Sequence, residues 1–420
     1  MIRQKVVEDG LAHDVPAVEH LEVLCRFREE LYDCLTRRAD ALFELADAVL
    51  CADGPVRDLV GLSLAPEHRR GHGALYDAVN HGRVEVDRLR RSLAGLGLPR
   101  AADGRIVLGV DVSPWLRPDA ATSPGRLFCH TYGRGRGNAQ LIPGWPYSFV
   151  AALEPGRTSW TAPLDAVRLG PDDDLTTVTT TQVREVVDRL AAAGHHTAGT
   201  PNILVVFDAG YDVTRLAWLL ADLPVDLVGR LRSDRVFHLP VPPRPPRACG
   251  RPPRHGPELR LAYPASLPTP AVTTTTATSR YGTAAATAWD RAHSRLTRRA
   301  AWERHTVQLP IIEGTLIRLV VDHLPGERNP KPVWLWSSTV DASATDVDRA
   351  WRAFLRRFDR EHIFRLFKQT LGWTAPKIRD PHAADRWTWL VLAAYPNSGL
   401  PARSPRTCAA PGNDPPNPQG

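Results

Sequence analysis

Two aspartates follow short apolar runs, each at the end of a predicted strand. Asp111 closes the run Ile106–Asp111 (IVLGVD), and Asp208 follows Ile203–Phe207 (ILVVF). In a sheet where these two strands are neighbours, both carboxylates emerge at the same edge. Together they attract a hard divalent cation such as Mg²⁺, which takes one or two carboxylates and keeps water and phosphate oxygens as its other ligands. The pair predicts metal-dependent phosphate chemistry, and the alternative for each aspartate is a structural helix cap or turn.

A charged helix face offers a third acid. Residues 354–368 read FLRRFDREHIFRLFK, and Arg357, Glu361, Arg365 and Lys368 recur at three- and four-residue spacings that place them on one helix face. The carboxylate of Glu361 can complete a metal site while the flanking cations reach phosphates. The alternative is an ordinary solvent face stabilised by Glu–Arg pairs. Five other acids compete with Glu361 for the third position: Glu313, Asp341, Asp346, Asp348 and Asp359.

The composition is that of a globular protein with a modest basic excess. The 420 residues are 43% hydrophobic and 24% charged, which excludes a wholly disordered chain. A net charge of +7 favours a polyanionic partner, and the predominance of arginine suits phosphate recognition, although a GC-rich genome also explains it. No apolar run reaches the roughly 20 residues that span a membrane, and no signal peptide is visible. The six cysteines lack zinc-site spacing. We expect a soluble, cytoplasmic, nucleoid-associated protein with reduced thiols and no membrane contact.

Composition and periodicity divide the chain into five predicted regions. These are a helical N-terminal region (1–100), an α/β region (101–233), an Arg/Pro-rich arm with a β-rich insertion (234–340), C-terminal helices (341–395) and a disordered tail (396–420). In the α/β region the order of three strands, helix, strand, helix, strand predicts a sheet that begins antiparallel and becomes parallel. The segment Arg230–Arg260, with eight arginines and eight prolines, is expected to be an exposed arm. For the proline-rich tail, a frameshift is our hypothesis and natural disorder the alternative.

The chain also carries a longer set of motifs. It contains VDVSPWLRPDA, FCHTYGRGRG, IPGWPYSFVAALEPGRTSW, VVFDAGYDVTRLAWLL and VWLWSS, and then FLRRFDREHIFRLFKQTLGWTAPKIRD. From about residue 14 to 395 this pattern resembles bacterial insertion-sequence transposases of the DDE superfamily. In the relevant subgroup a helix carries Tyr-x2-Arg-x3-Glu-x6-Lys. Phe354, Arg357, Glu361 and Lys368 match that spacing, with Phe in place of Tyr, which loses a hydroxyl and leaves the acid in place.

The resemblance implies a fold and a set of site residues. The expected fold is a ribonuclease H-like mixed α/β sheet core with flanking helices, a β-rich insertion and a helical N-terminal DNA-binding domain. Asp111, Asp208 and Glu361 would be the catalytic acids and the ligands of two Mg²⁺ ions, for which Mn²⁺ can substitute, with Asp111 bridging both ions. The DNA-binding residues would be Arg357, Arg365, Lys368, Arg134 and Arg136.

The resemblance further implies double-stranded DNA as the partner. The chain would cleave and join phosphodiesters at terminal inverted repeats, insert into target DNA and form a DNA-induced dimer. Two alternatives stay open: a catalytically inactive, DNA-binding remnant of a transposase, and a ribonuclease H-like nuclease that acts on other nucleic acids. Trp115, Trp334 and Trp336 are expected in the core, with stacking on a DNA base as the alternative role.

Overall fold

A computed structural model of the protein describes residues 15–132, 139–154, 161–244, 250–303, 305–324, 330–357 and 359–398. The α-helices within these ranges are α1 (Val15–Cys34), α2 (Ala39–Cys51), α3 (Leu59–Ser63), α4 (His72–His81), α5 (Val86–Ala94), α6 (Leu175–Ala192), α7 (Val213–Leu219), α8 (Ala344–Arg356), α9 (Asp359–Arg365) and α10 (Pro381–Ser398). A π-helical turn, Leu366–Thr370, follows α9 directly, and short 3₁₀ turns lie at Pro264–Ser266 and Ala300–Trp302.

The strands within the same ranges are β1 (Leu35–Arg37), β2 (Arg83–Val84), β3 (Val107–Leu116), β4 (Leu127–Tyr132), β5 (Ala139–Leu153), β6 (Thr161–Arg168), β7 (Ile203–Phe207), β8 (Val225–Leu231), β9 (Val236–His238), β10 (Glu258–Arg260), β11 (Val272–Thr278), β12 (Gly282–Ala292), β13 (Gly314–Val321) and β14 (Val333–Ser337). Ten of them form one large sheet in the order β11-β12-β13-β14-β8-β7-β3-β5-β4, with β6 also paired to β5.

The large sheet changes direction at its centre. Strands β3, β7 and β8 run parallel, whereas the pairs β3–β5, β4–β5 and β5–β6 are antiparallel. The predicted change from antiparallel to parallel strands is therefore confirmed. With helices on both sides, this mixed sheet is the ribonuclease H-like α/β core that the sequence predicts. Val110 of β3 lies opposite Phe207, the last residue of β7, so Asp111 and Asp208 are the next residues along the chain at this point.

Several strands were not predicted, and one prediction was wrong. The sequence pattern does not predict strands β6, β11 and β12. It does predict a short strand from the strand-like run Glu303–Pro310, and the described residues of that run form none. Strands β11 to β14 do not form a separate sheet, because β14 pairs antiparallel with β8 and continues the core sheet. The β-rich insertion is thus an extension of the core.

Helices cover both faces of the sheet. Helix α8 packs its apolar stripe, including Val347, Trp351 and Phe354, against strand residues such as Val206 and Leu335. On the other face, α6 and α7 cover the inner strands, and the buried Trp334 and Trp336 belong to this second cluster. The N-terminal helices pack with α10 and with Trp115 in a third cluster. All three tryptophans singled out from the sequence are at most 3% exposed, so their predicted core role is confirmed.

The Arg/Pro-rich segment is only partly an exposed arm. Strands β9 and β10 pair antiparallel, and their apolar residues Phe237 and Leu259 are buried at 1% and 0% exposure. The expectation of a fully exposed arm is wrong for this hairpin, because two apolar side chains suffice to anchor it to the sheet. The polar positions on either side, such as Arg235 and Arg244, are exposed.

A buried ionic cluster joins the N-terminal helices to the core. Asp165 on β6 is fully buried, and its two carboxylate oxygens accept hydrogen bonds from Arg90 on α5 at 3.0 Å and from Arg189 on α6 at 2.6 Å. Breaking a buried pair of this kind is costly, because it leaves an uncompensated charge in the interior. The cluster therefore fixes α5 against the large sheet.

None of the helices within the described ranges is both long enough and apolar enough to cross a membrane. Cys34, Cys51 and Cys129 are free thiols. The final helix α10 runs to Ser398, past the predicted end of the folded region at residue 395. Residues 399–420 of the predicted tail lie outside the described residues.

Candidate active site

Asp111 and Asp208 meet at one edge of the parallel strands. Asp208 follows the last residue of β7, as predicted, but Asp111 lies within β3, which continues to Leu116. The prediction that Asp111 ends its strand is therefore wrong; only the parallel pairing of β3 with β7 ends there, at Val110. The Asp111 carboxylate accepts a hydrogen bond from the Val112 backbone N–H at 2.9 Å. The two side chains are 24% and 34% exposed, so both are open to a ligand while being partly shielded from water.

Arg357 binds both carboxylates. Its Nη1 lies 3.3 Å from Oδ2 of Asp208 and 4.0 Å from Oδ2 of Asp111, and its side chain is only 7% exposed. Its guanidinium carbon also lies 5.2 Å from the centre of the Phe354 ring, within cation–π range. One buried cation thus lowers the repulsion between two acids that face each other.

Helix α8 brings Arg357 to this edge. The helix begins with a capping box, in which the Ser343 hydroxyl and the Asp346 carboxylate each accept from the other residue's backbone N–H. Its buried stripe then fixes the helix on the sheet, and α8 ends at Arg356, one residue before the arginine that reaches the aspartates. Arg356 itself donates to the Glu154 carbonyl oxygen, which ties this helix end to the end of β5.

Lys368 lies beside the same edge. It is half-buried in the π-helical turn, and its ammonium lies 5.6 Å from the centre of the Trp373 ring. Burial lowers the pKa of Lys368, while the nearby Cys129 and Asp111 act in the opposite direction. A partly desolvated cation next to Asp111 is suited to hold an anionic oxygen, because little water competes for it.

The third predicted acid stands between these two cations along the chain. The backbone of Glu361 belongs to α9, which lies between Arg357 and the π-helical turn, but its side chain lies outside the described part of the structure. Arg365 is exposed at the end of α9. Arg134 and Arg136 fall in residues 133–138, which the structure does not describe.

Four of the five competing acids are held in other contacts. Glu313 and Asp341 both accept hydrogen bonds from Arg291, Asp346 caps α8, and Asp348 accepts from the hydroxyls of Thr274 and Thr276. The side chain of the fifth, Asp359, lies outside the described residues. Glu361 stays the predicted third acid.

The donor set fits a hard divalent cation. Oδ1 of Asp208 is buried and has no hydrogen-bond partner among the described residues, which is costly for a carboxylate oxygen unless a ligand satisfies it. Carboxylate oxygens are the ligands that Mg²⁺ and Mn²⁺ prefer. In the described part of the chain, no group of three or more His, Cys, Asp or Glu side chains could hold a metal ion. The described residues therefore supply two acids, and a complete site needs a further ligand such as Glu361.

Comparison with known families gives one match. A family model described as "DDE superfamily endonuclease" matches residues 30–295, which is more than half of the chain. The matched range contains Asp111 and Asp208 and ends before Arg357, Glu361 and Lys368. No curated protein matches the sequence.

Proposed function

Because the chain belongs to the DDE superfamily endonucleases, we propose that it is a transposase that cleaves and joins DNA at the ends of an insertion sequence. The convergence of Asp111 and Asp208 on the buried Arg357 is the observation that supports this proposal most directly. The net charge of +7 agrees with a nucleic acid as the partner.

Asp111, Asp208 and Glu361 would hold two Mg²⁺ ions, or Mn²⁺ in their place. When bound, such ions activate the attacking oxygen and stabilise the leaving oxygen of a phosphodiester. The orphan Oδ1 of Asp208 supports this assignment for one ligand. Glu361 enters it from the matching helix motif and from the engagement of four competing acids in other contacts.

The basic residues in and around the candidate site have separate proposed roles. Arg357 would hold the two aspartates in place before the metal binds, because its guanidinium lies within ion-pair distance of both. Lys368 would bind an adjacent phosphate from its half-buried position. Arg365, Arg134 and Arg136 would contact the flanking backbone. The N-terminal helices would recognise the terminal inverted repeats, and binding of two DNA ends would bring two copies of the chain together.

A plasmid-cleavage assay tests the proposal. Supercoiled plasmid with or without the inverted repeats that flank the gene is incubated with the protein and Mg²⁺ or Mn²⁺. We expect metal-dependent nicking at the repeats that Asp208→Ala abolishes. The matched control is Asp222→Ala, because Asp222 is an exposed acid that pairs with Arg184 away from the site. Glu361→Gln should also abolish nicking, whereas Glu313→Gln should not.

The same assay separates the alternatives. Cleavage of RNA–DNA hybrids without preference for the repeats would indicate a ribonuclease H-like nuclease instead of a transposase. Folded protein that binds the repeats but never cuts them with either metal would indicate an inactive remnant. Joining of a cut end to a second plasmid distinguishes a transposase from a simple endonuclease.

A further inference from the structure

An apolar surface on the β4–β5 hairpin has no partner within the described structure. Phe128 is 71% exposed and Leu141 is 55% exposed, although both belong to a regular antiparallel pair. Phe128 lies opposite Pro143 and His130 lies opposite Leu141, so these four residues share one face of the hairpin. Neighbouring exposed apolar side chains that form one patch often mark a binding site. We call this face the hairpin surface.

The β4–β5 hairpin belongs to the sheet that carries Asp111, because β5 pairs with β4 on one side and with β3 on the other. Cys129, between Phe128 and His130, is buried and interacts electrostatically with Lys368. Lys368 in turn interacts with Asp111. Because the register from β3 through β5 to β4 is unbroken, the hairpin surface lies on the same face of the sheet as the Asp111 side chain.

The charge of this part of the chain points to an anionic occupant. Between Asp119 and Glu154 the sequence contains no acidic residue and three arginines. Arg126 uses its guanidinium to bind the carbonyl oxygens of Arg117, Ala121 and Ser123. The other two arginines belong to the link between β4 and β5. A hairpin that exposes apolar side chains and has no acidic residue of its own fits the base and backbone of DNA, because an aromatic ring stacks on any base.

We propose that the hairpin surface binds DNA beside the cut phosphodiester, with Phe128 stacking on an unpaired base and Leu141 extending the apolar contact. This inference rests on the proposed function, since it needs DNA at the Asp111–Asp208 edge. Stacking supplies affinity that does not depend on phosphate charge. It therefore differs from the predicted role of Lys368 and the arginines.

The test uses an oligonucleotide duplex with a single-stranded gap that contains 2-aminopurine. Three variants are compared with the wild type: Phe128→Ala, Phe128→Tyr, which keeps an aromatic ring, and Tyr263→Ala. Tyr263 is the matched control because it is an exposed aromatic residue, 64% accessible, next to a different hairpin. Thermal unfolding of each variant verifies its folding.

We expect binding of the wild type to change the 2-aminopurine fluorescence. Phe128→Ala should lose this change and bind about tenfold more weakly, whereas Phe128→Tyr and Tyr263→Ala should behave like the wild type. The slope of log affinity against log salt should be unchanged in Phe128→Ala, because no phosphate contact is lost.

Three results would overturn the inference. In the first, Phe128→Ala matches the wild type in fluorescence and affinity while the wild type still cuts DNA, which leaves the proposed function intact. In the second, sedimentation shows that Phe128→Ala turns a dimer into a monomer without any effect on fluorescence, which assigns the surface to a second copy of the chain. In the third, the wild type binds no DNA, and the proposed function fails as well.

Discussion

Replacement of Arg357 by alanine tests whether the two aspartates form a site built for a cation. The wild-type guanidinium is nearly buried and approaches Asp208 to 3.3 Å and Asp111 to 4.0 Å. Arg357→Ala removes the positive charge and leaves two carboxylates facing each other. Without metal, the variant should therefore be less stable than the wild type. A divalent cation should raise the stability of the variant more than it raises that of the wild type.

The size of the effect follows from these distances. With an effective dielectric constant of about 20, the two attractions amount to about 5 and about 4 kcal/mol. Desolvation of the arginine offsets much of this, and water screens the two partly exposed acids. We therefore expect a net loss of about 2 kcal/mol in the free energy of unfolding, less than the 3–5 kcal/mol typical of breaking a fully buried pair.

Thermal unfolding in EDTA and in Mg²⁺ measures both parts of this prediction. In EDTA, Arg357→Ala should unfold several degrees below the wild type. Mg²⁺ should reduce the difference in unfolding temperature between Arg357→Ala and the wild type, because a ligand stabilises the state to which it binds more tightly. The control is Arg352→Ala on the same helix. Its side chain is 55% exposed and 3.7 Å from Asp348, so its loss should cost at most about 0.5 kcal/mol. Equal stabilities of the two variants in EDTA, or an equal Mg²⁺ shift in Arg357→Ala and wild type, would refute the reasoning.

Three further predictions concern other buried groups. Burial lowers the pKa of Lys368, so its charge destabilises the fold at pH values below that lowered pKa, and the penalty fades as the pH rises towards 10.5. Lys368→Met should thus unfold at a higher temperature than the wild type at neutral pH, with the difference shrinking at alkaline pH. It should also reduce the salt slope of DNA binding by about one. Asp165→Ala should cost about 3–5 kcal/mol in chemical denaturation, because two arginines lose their buried acceptor; a loss below 1 kcal/mol would contradict this. Burial raises the pKa of the Cys34 and Cys51 thiols to about 11, so alkylation of both should be slow at pH 8 and accelerate up to about pH 11; fast labelling of folded protein at pH 8 would be the contrary result.

The sheet edge that carries Asp111 and Asp208 was predictable because its signal is local. An apolar run that ends in aspartate predicts both a buried strand and the position of its acid. The runs before Asp111 and Asp208 are among the most apolar in the chain. Their adjacency was a condition of the sequence-based prediction and not a result of it, and the parallel register of β3 and β7 shows that the condition holds. The assignment of Glu361 has no such test and stays a prediction.

The amino-acid compositions of β11 and β12 explain why the sequence did not predict these strands. Strand β11 reads VTTTTAT and β12 begins GTAAATA, so neither shows the alternation of large apolar and polar residues that identifies a strand. Alternate residues of β12 are nevertheless buried, because small alanines allow helix α8 and the sheet to approach closely. This close packing depends on the helix that covers the strand, so the sequence of the strand alone does not predict it.

The sequence also did not predict where the C-terminal helices begin and end. Residues 354–368 were expected to form one continuous helix face, but α8 ends at Arg356 and a π-helical turn follows α9. A π turn contains more residues than an α turn, so it alters the direction in which Lys368 points. The exposure of Phe128 was equally hidden, since the motif FCHTY indicates a strand without telling which face the protein covers.

The way in which β14 joins β8 determines how this protein can be dissected. Excision of residues 234–340 would strip β8 of its antiparallel neighbour and leave a bare row of backbone donors and acceptors along Val225–Leu231. An unpaired strand edge forms backbone hydrogen bonds with other chains. A variant that lacks residues 234–340 should therefore precipitate or form oligomers through strand pairing. Natural variants of this architecture would therefore tolerate a shorter hairpin tip at residues 278–282 far better than loss of the strand that seals the core.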